Sequence, residues 1–286
     1  MATYADYVGD YYGKVDRKLL RLNKHVYQYL RSFFERSYSS QKNILIIVGC
    51  QRSGTSILQK VFEKDFNTKV YGETSKLSSV DTEGLRLNPL PMVEKELQRD
   101  KAQFIIMKPL VESQNICELL DTFAGSQALW LYRDYKDVAS SNLQLFGIRN
   151  GIDDIRPIAE NQPNNWRSER VSEHTRQTIL QYFSEDMNPY DAAVLFWYAR
   201  NSLFFDLELD QDSRVMMCKY EDLIASPETS LHKIYAALGQ FFPGEAISKE
   251  INSESLGKGK EVKLSPGVEN LAKEMLGRLD AAYSIG

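Results

Sequence analysis

Cysteine and histidine are scarce in this chain, at three of each in 286 residues. Cys50, Cys117 and Cys218 form no C-x-x-C and no paired framework. That excludes a disulfide scaffold and a cysteine zinc site of the usual kind, and it suits a reducing, cytoplasmic compartment. No apolar run approaches the roughly 18–20 residues that span a bilayer, and the polar N-terminus lacks the apolar core of a signal peptide. An excess of positive charge is missing too. The net charge of −4 argues against a general nucleic-acid binder, so any basic function is local. No internal repeat or low-complexity linker interrupts the chain. With 43% hydrophobic and 26% charged residues, a single globular domain over residues 1–286 accounts for the length.

The most informative segment is the apolar run Ile44–Val48, followed by a glycine loop and the helical pattern that begins at Thr55. A buried strand feeding a helix N-terminus through such a loop cradles anions, because loop amides and the positive helix end point the same way. Gly49 and Gly54 keep the spacing of the nucleotide phosphate loop, G-x-x-x-x-G-K-[ST]. Thr55 stands where that motif has lysine, and Arg52 is the loop's one basic residue.

Around this loop, strand-like runs (Asn43–Val48, Lys69–Tyr71, Phe104–Met107, Leu129–Tyr132, Val215–Cys218) alternate with helical patterns (Thr55–Asp65, Glu112–Phe123, Lys136–Phe146, Asp191–Leu207, Glu228–Leu238). The alternation predicts an α/β protein with three layers, α/β/α, around a central parallel sheet whose strand ends carry the ligand site. Residues 147–189 break the pattern: they are polar and hold Pro157, Pro163 and Pro189, so they read as a long irregular lid or acceptor region. The N-terminal segment, 1–40, contains one amphipathic helix over 14–36, with an apolar stripe through Leu22, Val26 and Tyr29. Its basic face includes Lys18, Arg21 and Lys24 and is expected to be solvated while the stripe packs on the domain; contact with an anionic membrane is the less favoured alternative.

A second anion site follows the fourth strand. Arg133 stands at the strand end and Ser141 eight residues on, offering a planar guanidinium fork and a hydroxyl donor. Two such sites at neighbouring strand ends imply a ligand with phosphates at both ends.

These residues carry a resemblance. Arg52 to Ser56 is similar to the 5′-phosphosulfate loop of sulfotransferases that use 3′-phosphoadenosine 5′-phosphosulfate (PAPS), and Arg133 to Ser141 resembles their 3′-phosphate motif. The segment Val215–Leu223, followed by Ser226 and Pro227, looks like the next stretch of the same family, so the likeness runs from about residue 43 to 240. It implies a fold related to nucleotide kinases, PAPS as co-substrate, no metal, and transfer of a sulfuryl group to a hydroxyl with release of adenosine 3′,5′-bisphosphate. By the same resemblance Arg52, Ser53, Gly54, Thr55, Ser56, Arg133 and Ser141 bind the donor. Lys258, Gly259 and Lys260 match a basic glycine segment that folds over the 3′-phosphate in many members, although a short K-G-K is equally at home in a solvated loop.

The departure lies after the middle strand. Small-molecule members place a histidine base in a Lys-Thr-His segment, whereas this chain reads Lys108-Pro109-Leu110. Glu73, beside Gly72 at the end of the second strand, is then the leading base, as in members that act on tyrosines and sugars. His174, in the 147–189 segment, is the alternative, and His25 and His232 read as structural. Arg52, Glu73 and Lys108 form the expected catalytic set, Lys108 holding sulfuryl oxygens or orienting the acceptor, or else making a simple ion pair. Trp197 and Tyr198 read as core, and Tyr220 to Asp222 as mainly structural, with the acids capping the following helix or pairing with loop arginines. The acceptor could be a small molecule, a glycan or a lipid. A phosphate-loop kinase or NTPase, or an inactive nucleotide-binding scaffold, is the runner-up; the missing loop lysine weighs against the first.

Overall fold

The computed structural model describes residues 22–29, 42–79, 85–249 and 251–285. Five strands, β1 (Asn43–Gly49), β2 (Thr68–Tyr71), β3 (Phe104–Met107), β4 (Ser126–Tyr132) and β5 (Val215–Lys219), form one sheet in the order β2-β3-β1-β4-β5. Every pairing is parallel, with Gly49 opposite Leu131 at the C-terminal edge. The strands are apolar on both faces because both are covered. Ile44, Ile46 and Val48 enter one core with Trp130 and Tyr132, whereas Leu45 and Ile47 enter the other with Leu129 and Leu131.

The helices sort onto those two faces. In chain order they are α1 (22–29), α2 (Thr55–Lys64), α3 (Leu90–Arg99), α4 (Ile116–Thr122), α5 (Tyr135–Phe146), α6 (Asn150–Ala159), α7 (Glu173–Leu180), α8 (Pro189–Asp206), α9 (Tyr220–Ala225), α10 (Pro227–Ala237) and α11 (Pro266–Ile285). Leu58 and Phe62 of α2 and Leu231 and Tyr235 of α10 cover one side. The other side is built on α8, which is buried nearly all round, with α5, α6 and α11 against it. The protein is therefore a three-layer α/β/α fold about a parallel sheet, as the alternation predicts.

Three local expectations are corrected. The stretch 147–189 is not irregular: it holds α6 and α7, and Ile152, Ile155 and Ile158 of α6 lie in the core. Pro157 inside the helix and Gly151 near its start masked the pattern; Gly151 is required because a Cβ there would stand 2.7 Å from the Ala193 backbone nitrogen of α8. The single helix expected over Glu112–Phe123 begins instead as a 3-10 segment, Leu110–Asn115, before α4. In α1, Lys24 does not belong to a solvated basic face. It is buried, donating to the carbonyls of Phe62 (3.3 Å) and Glu63 (3.0 Å) at the end of α2 and to Thr68 Oγ1 (2.9 Å), while Leu22, Val26 and Tyr29 are exposed. The rest of the 14–36 pattern lies outside the described residues. Among the described residues no helix is long and apolar enough to cross a membrane.

Candidate active site

The loop after β1 is shaped by backbone that only particular residues tolerate. Gly49 has φ +126°, and a Cβ there would lie 2.3 Å from the Leu131 carbonyl oxygen. Gly54 has φ +100°, and its Cβ would strike the Tyr220 ring at 2.2 Å. Between them Arg52 itself takes φ +68°, a strained choice that turns its side chain to the cleft. Ser113 holds the loop from behind, accepting from the Gly49 N–H at 3.1 Å and donating to Leu110 O at 2.8 Å. Arg200 of α8, fully buried, braces the 3-10 segment that carries Ser113 by donating to Gln114 Oε1 at 3.0 Å. Cys50 is sealed inside, and burial pushes its thiol up to about 12, so it is no nucleophile.

Above the sheet edge lies a cleft of about 520 Å³ lined by Arg52, Thr55, Ser56, Glu73, Arg133, Ser141, Tyr220 and Lys258, among others. Its two ends are joined through Arg52, whose Nε donates to Ser141 Oγ at 3.1 Å. On the β2–β3 side, Lys108 is only 5% exposed and its ammonium bridges Glu73 Oε1 (2.8 Å) and Ser56 Oγ (3.2 Å). Lys108 is thus no simple surface ion pair. Glu73 reaches the phosphate loop through it, even though β3 separates β2 from β1 in the sheet.

On the β4 side, Arg133 stacks over Tyr220, guanidinium carbon 4.3 Å from the ring centroid, and pairs with Asp137 at 3.0 Å. Its backbone carbonyl accepts from Trp197 Nε1 at 3.0 Å, so Trp197 is core and also fixes the strand end. Asp137 had no signal in the sequence beyond an acid four residues after an arginine. Buried, it also accepts from the N–H groups of Gly257 (2.9 Å) and Gly259 (2.7 Å), which fastens the 256–260 loop over the start of α5. Gly259 is required there, since a Cβ would stand 2.2 Å from the Lys136 carbonyl carbon. This loop is docked rather than freely solvated. Lys258 lines the cleft, while the Lys260 side chain lies against Gly257 instead.

Two further residues sit elsewhere than expected. Glu221 does not cap its own helix; its Oε1 accepts from the backbone N–H of Asp134, the N-cap of α5. His174 is exposed on α7 and is not among the residues that line the cleft.

The cleft is electrostatically prepared for an anion. Burial and then the neighbouring Arg133 charge depress the pKa of Arg52, Glu73 opposing them. Two guanidinium groups held this close favour a ligand that neutralises both. Among the described residues that line the cleft, Arg133 Nε is a buried donor without a partner, and in the loop itself Ser53 Oγ is buried and unpartnered as well, although Ser53 does not line the cleft. The first turn of α2 carries no acid, and Gly54 at its N-cap offers no side-chain cap, which leaves that helix end to a ligand. The free Arg133 donor and the uncapped end of α2 both suit an anionic ligand.

The sequence profile of the sulfotransferase domain matches residues 42–268. The chain belongs to the sulfotransferase domain family. No curated protein matches it. Solved sulfotransferases share its fold: the sulfotransferase domain of the Synechococcus PCC 7002 olefin synthase has a TM-score of 0.51 at 15% identity, covering 84% of this chain and 96% of that one. The sulfotransferase domain from the curacin biosynthetic pathway gives 0.52 at 16% identity, over 85% and 99%. A sulfotransferase from Alicyclobacillus acidocaldarius gives 0.50 at 14% identity, over 84% and 95%.

Proposed function

We propose that this sulfotransferase takes its sulfuryl group from PAPS and transfers it to a hydroxyl, with Glu73 as the base. The observation that carries the reading is the chain of contacts Glu73–Lys108–Ser56 at the helix end of the phosphate loop, with Arg52 beside it. When bound, the donor supplies an activated sulfuryl group on a phosphate leaving group. Arg52, Ser53, Thr55, Ser56 and the first-turn amides of α2 hold the 5′ end, and the Arg52 guanidinium stabilises the charge that grows on the leaving phosphate. Lys108 holds sulfuryl oxygens from the opposite side. Arg133, Ser141 and Lys258 take the 3′-phosphate, Asp137 keeping Arg133 aimed and the 256–260 loop closed. Glu73 accepts the hydroxyl proton as the oxygen–sulfur bond forms. An expected cytoplasmic setting, with one domain over the whole chain, completes this reading.

Calorimetric titration with adenosine 3′,5′-bisphosphate tests it, alongside ATP with magnesium. The expected result is binding near micromolar, about −8 kcal/mol, weakened at least tenfold in Arg133→Ala. Preference for ATP with magnesium would instead support the phosphate-loop kinase reading.

A further inference from the structure

Large apolar side chains are exposed at the C-terminal corner of α5. Leu145, Phe146 and Ile148 are 56%, 57% and 57% exposed, and Gly147, at φ +99°, turns the chain between the last two. Elsewhere among the described residues such side chains are isolated (Met92, Leu180, Phe241) or gathered about α1 and Phe66. A cluster of this kind marks a surface that something apolar covers.

Its place in the fold says what. Leu145 and Phe146 line the same cleft as Arg52 and Glu73, with buried Leu110 on the wall. Leu145 follows Ser141 by four residues, so the two share one face of α5, and Ser141 is the residue bonded to Arg52. The corner therefore begins one helical turn from Ser141, and through Leu145 and Phe146 it forms part of the wall of the cleft that also holds Arg52 and Glu73. The volume of about 520 Å³ is that of a pocket for one ligand. A nucleotide in the cradle leaves the acceptor's body to emerge along the corner.

We propose that the acceptor is an apolar alcohol: its hydroxyl meets Glu73 and Lys108, and its hydrocarbon body lies across Leu145, Phe146 and Ile148. Leu145, Phe146 and Ile148 offer a sugar ring only apolar contact, and with Gln144 the polar side chain beside them on the cleft wall most of that ring's hydroxyls would be left without partners, a costly arrangement once water is excluded. The inference rests on the sulfotransferase reading of the cleft and names the class of substrate it takes.

The test measures transfer from PAPS to butanol, hexanol, octanol and decanol, and to glucose and ω-hydroxyoctanoate, by release of adenosine 3′,5′-bisphosphate. Within the alkanols, kcat/KM should rise about threefold to fourfold per methylene while the added carbons are covered. Octanol should exceed ω-hydroxyoctanoate by more than tenfold. Phe146→Ser should flatten the series without weakening the bisphosphate in calorimetry. A flat series in the wild type, no alkanol turnover, or preference for glucose, each with bisphosphate binding intact, overturns the apolar acceptor and leaves the donor site standing. Loss of bisphosphate binding in the wild type removes both readings. If Phe146→Ser changes the sedimentation coefficient but not the series, the corner belongs to a second copy of the chain and the proposal fails.

Discussion

Lys108 is the side chain through which Glu73 reaches the phosphate loop. An ammonium that is 5% exposed must be compensated, and Glu73 at 2.8 Å and Ser56 at 3.2 Å do so. The same contacts place a carboxylate next to the loop where the sulfuryl group is expected, so Glu73 is aimed by its partner rather than by its strand. Glu73→Gln keeps the shape and loses the base. Turnover should fall by about 10²–10⁴-fold while calorimetric affinity for adenosine 3′,5′-bisphosphate stays within about twofold. His174→Ala, on an exposed helix away from the cleft, should leave kcat unchanged. The opposite pattern would hand proton abstraction to His174. Arg52 and Arg133 were both visible in the sequence, because Arg52 is the basic residue of the glycine loop after one apolar strand and Arg133 directly follows another. Asp137 was less visible: its partners, the N–H groups of Gly257 and Gly259, lie more than a hundred residues away.

At the scale of elements, the site is made of strand-to-helix junctions and one docked loop. β1 into α2 supplies the phosphate loop, and β4 into α5 supplies Arg133 and Ser141. The 256–260 loop closes over the second junction only because Gly259 lets its backbone meet that of Lys136. Gly259→Ala places a methyl in that contact, and overpacking of this kind costs about 1–3 kcal/mol. The loop should lift and take Lys258 with it. Bisphosphate affinity should drop on the order of tenfold, with the melting temperature lowered by about 2–4 °C for each kcal/mol of that cost. A fall in melting temperature with unchanged affinity would show that the loop stabilises the fold without touching the donor. The first junction was legible because Gly49 and Gly54 answer a local demand for positive φ, and the second because Arg133 directly follows an apolar strand. Helix α6 was not, since Gly151 and Pro157 are poor helix formers and are tolerated only because α8 supplies the surface against which Ile152, Ile155 and Ile158 pack.

At the scale of the whole molecule, α1 is tied to the domain by its polar side. Lys24 supplies a positive charge to the C-terminal carbonyls of α2, and Gln28 adds bonds to the carbonyls of Phe66 (3.0 Å) and Thr68 (2.8 Å). Burial lowers the Lys24 ammonium from 10.5 to about 8, the charges of Asp65 and Glu63 opposing it. The folded protein then releases this proton near pH 8, while the unfolded chain keeps it to about 10.5. Between those values the unfolded state binds more protons, so this group's contribution to stability rises with pH across the window and is level below and above it. Chemical denaturation of wild type and Lys24→Met from pH 7 to 10 should show the difference moving in favour of the wild type above about pH 8. A constant difference would mean that Lys24 is solvated in the folded protein.

The sequence by itself determined the layer order and the anion cradle. Apolar runs alternating with helical periods leave few arrangements besides a covered parallel sheet, and the glycine spacing of the first junction and the arginine beside each strand end are local features of the sequence. The sheet order β2-β3-β1-β4-β5 set the rest, because it decides which strand ends are neighbours. It placed β1 beside β4, joining Arg52 to Ser141. It placed β3 between β1 and β2, so that Lys108 links Glu73 to Ser56. Contacts between residues far apart in the chain depend on the packed geometry of several elements at once. No local pattern encodes them, and they are what brings the phosphate loop, the Glu73 carboxylate and the apolar corner of α5 into one cleft.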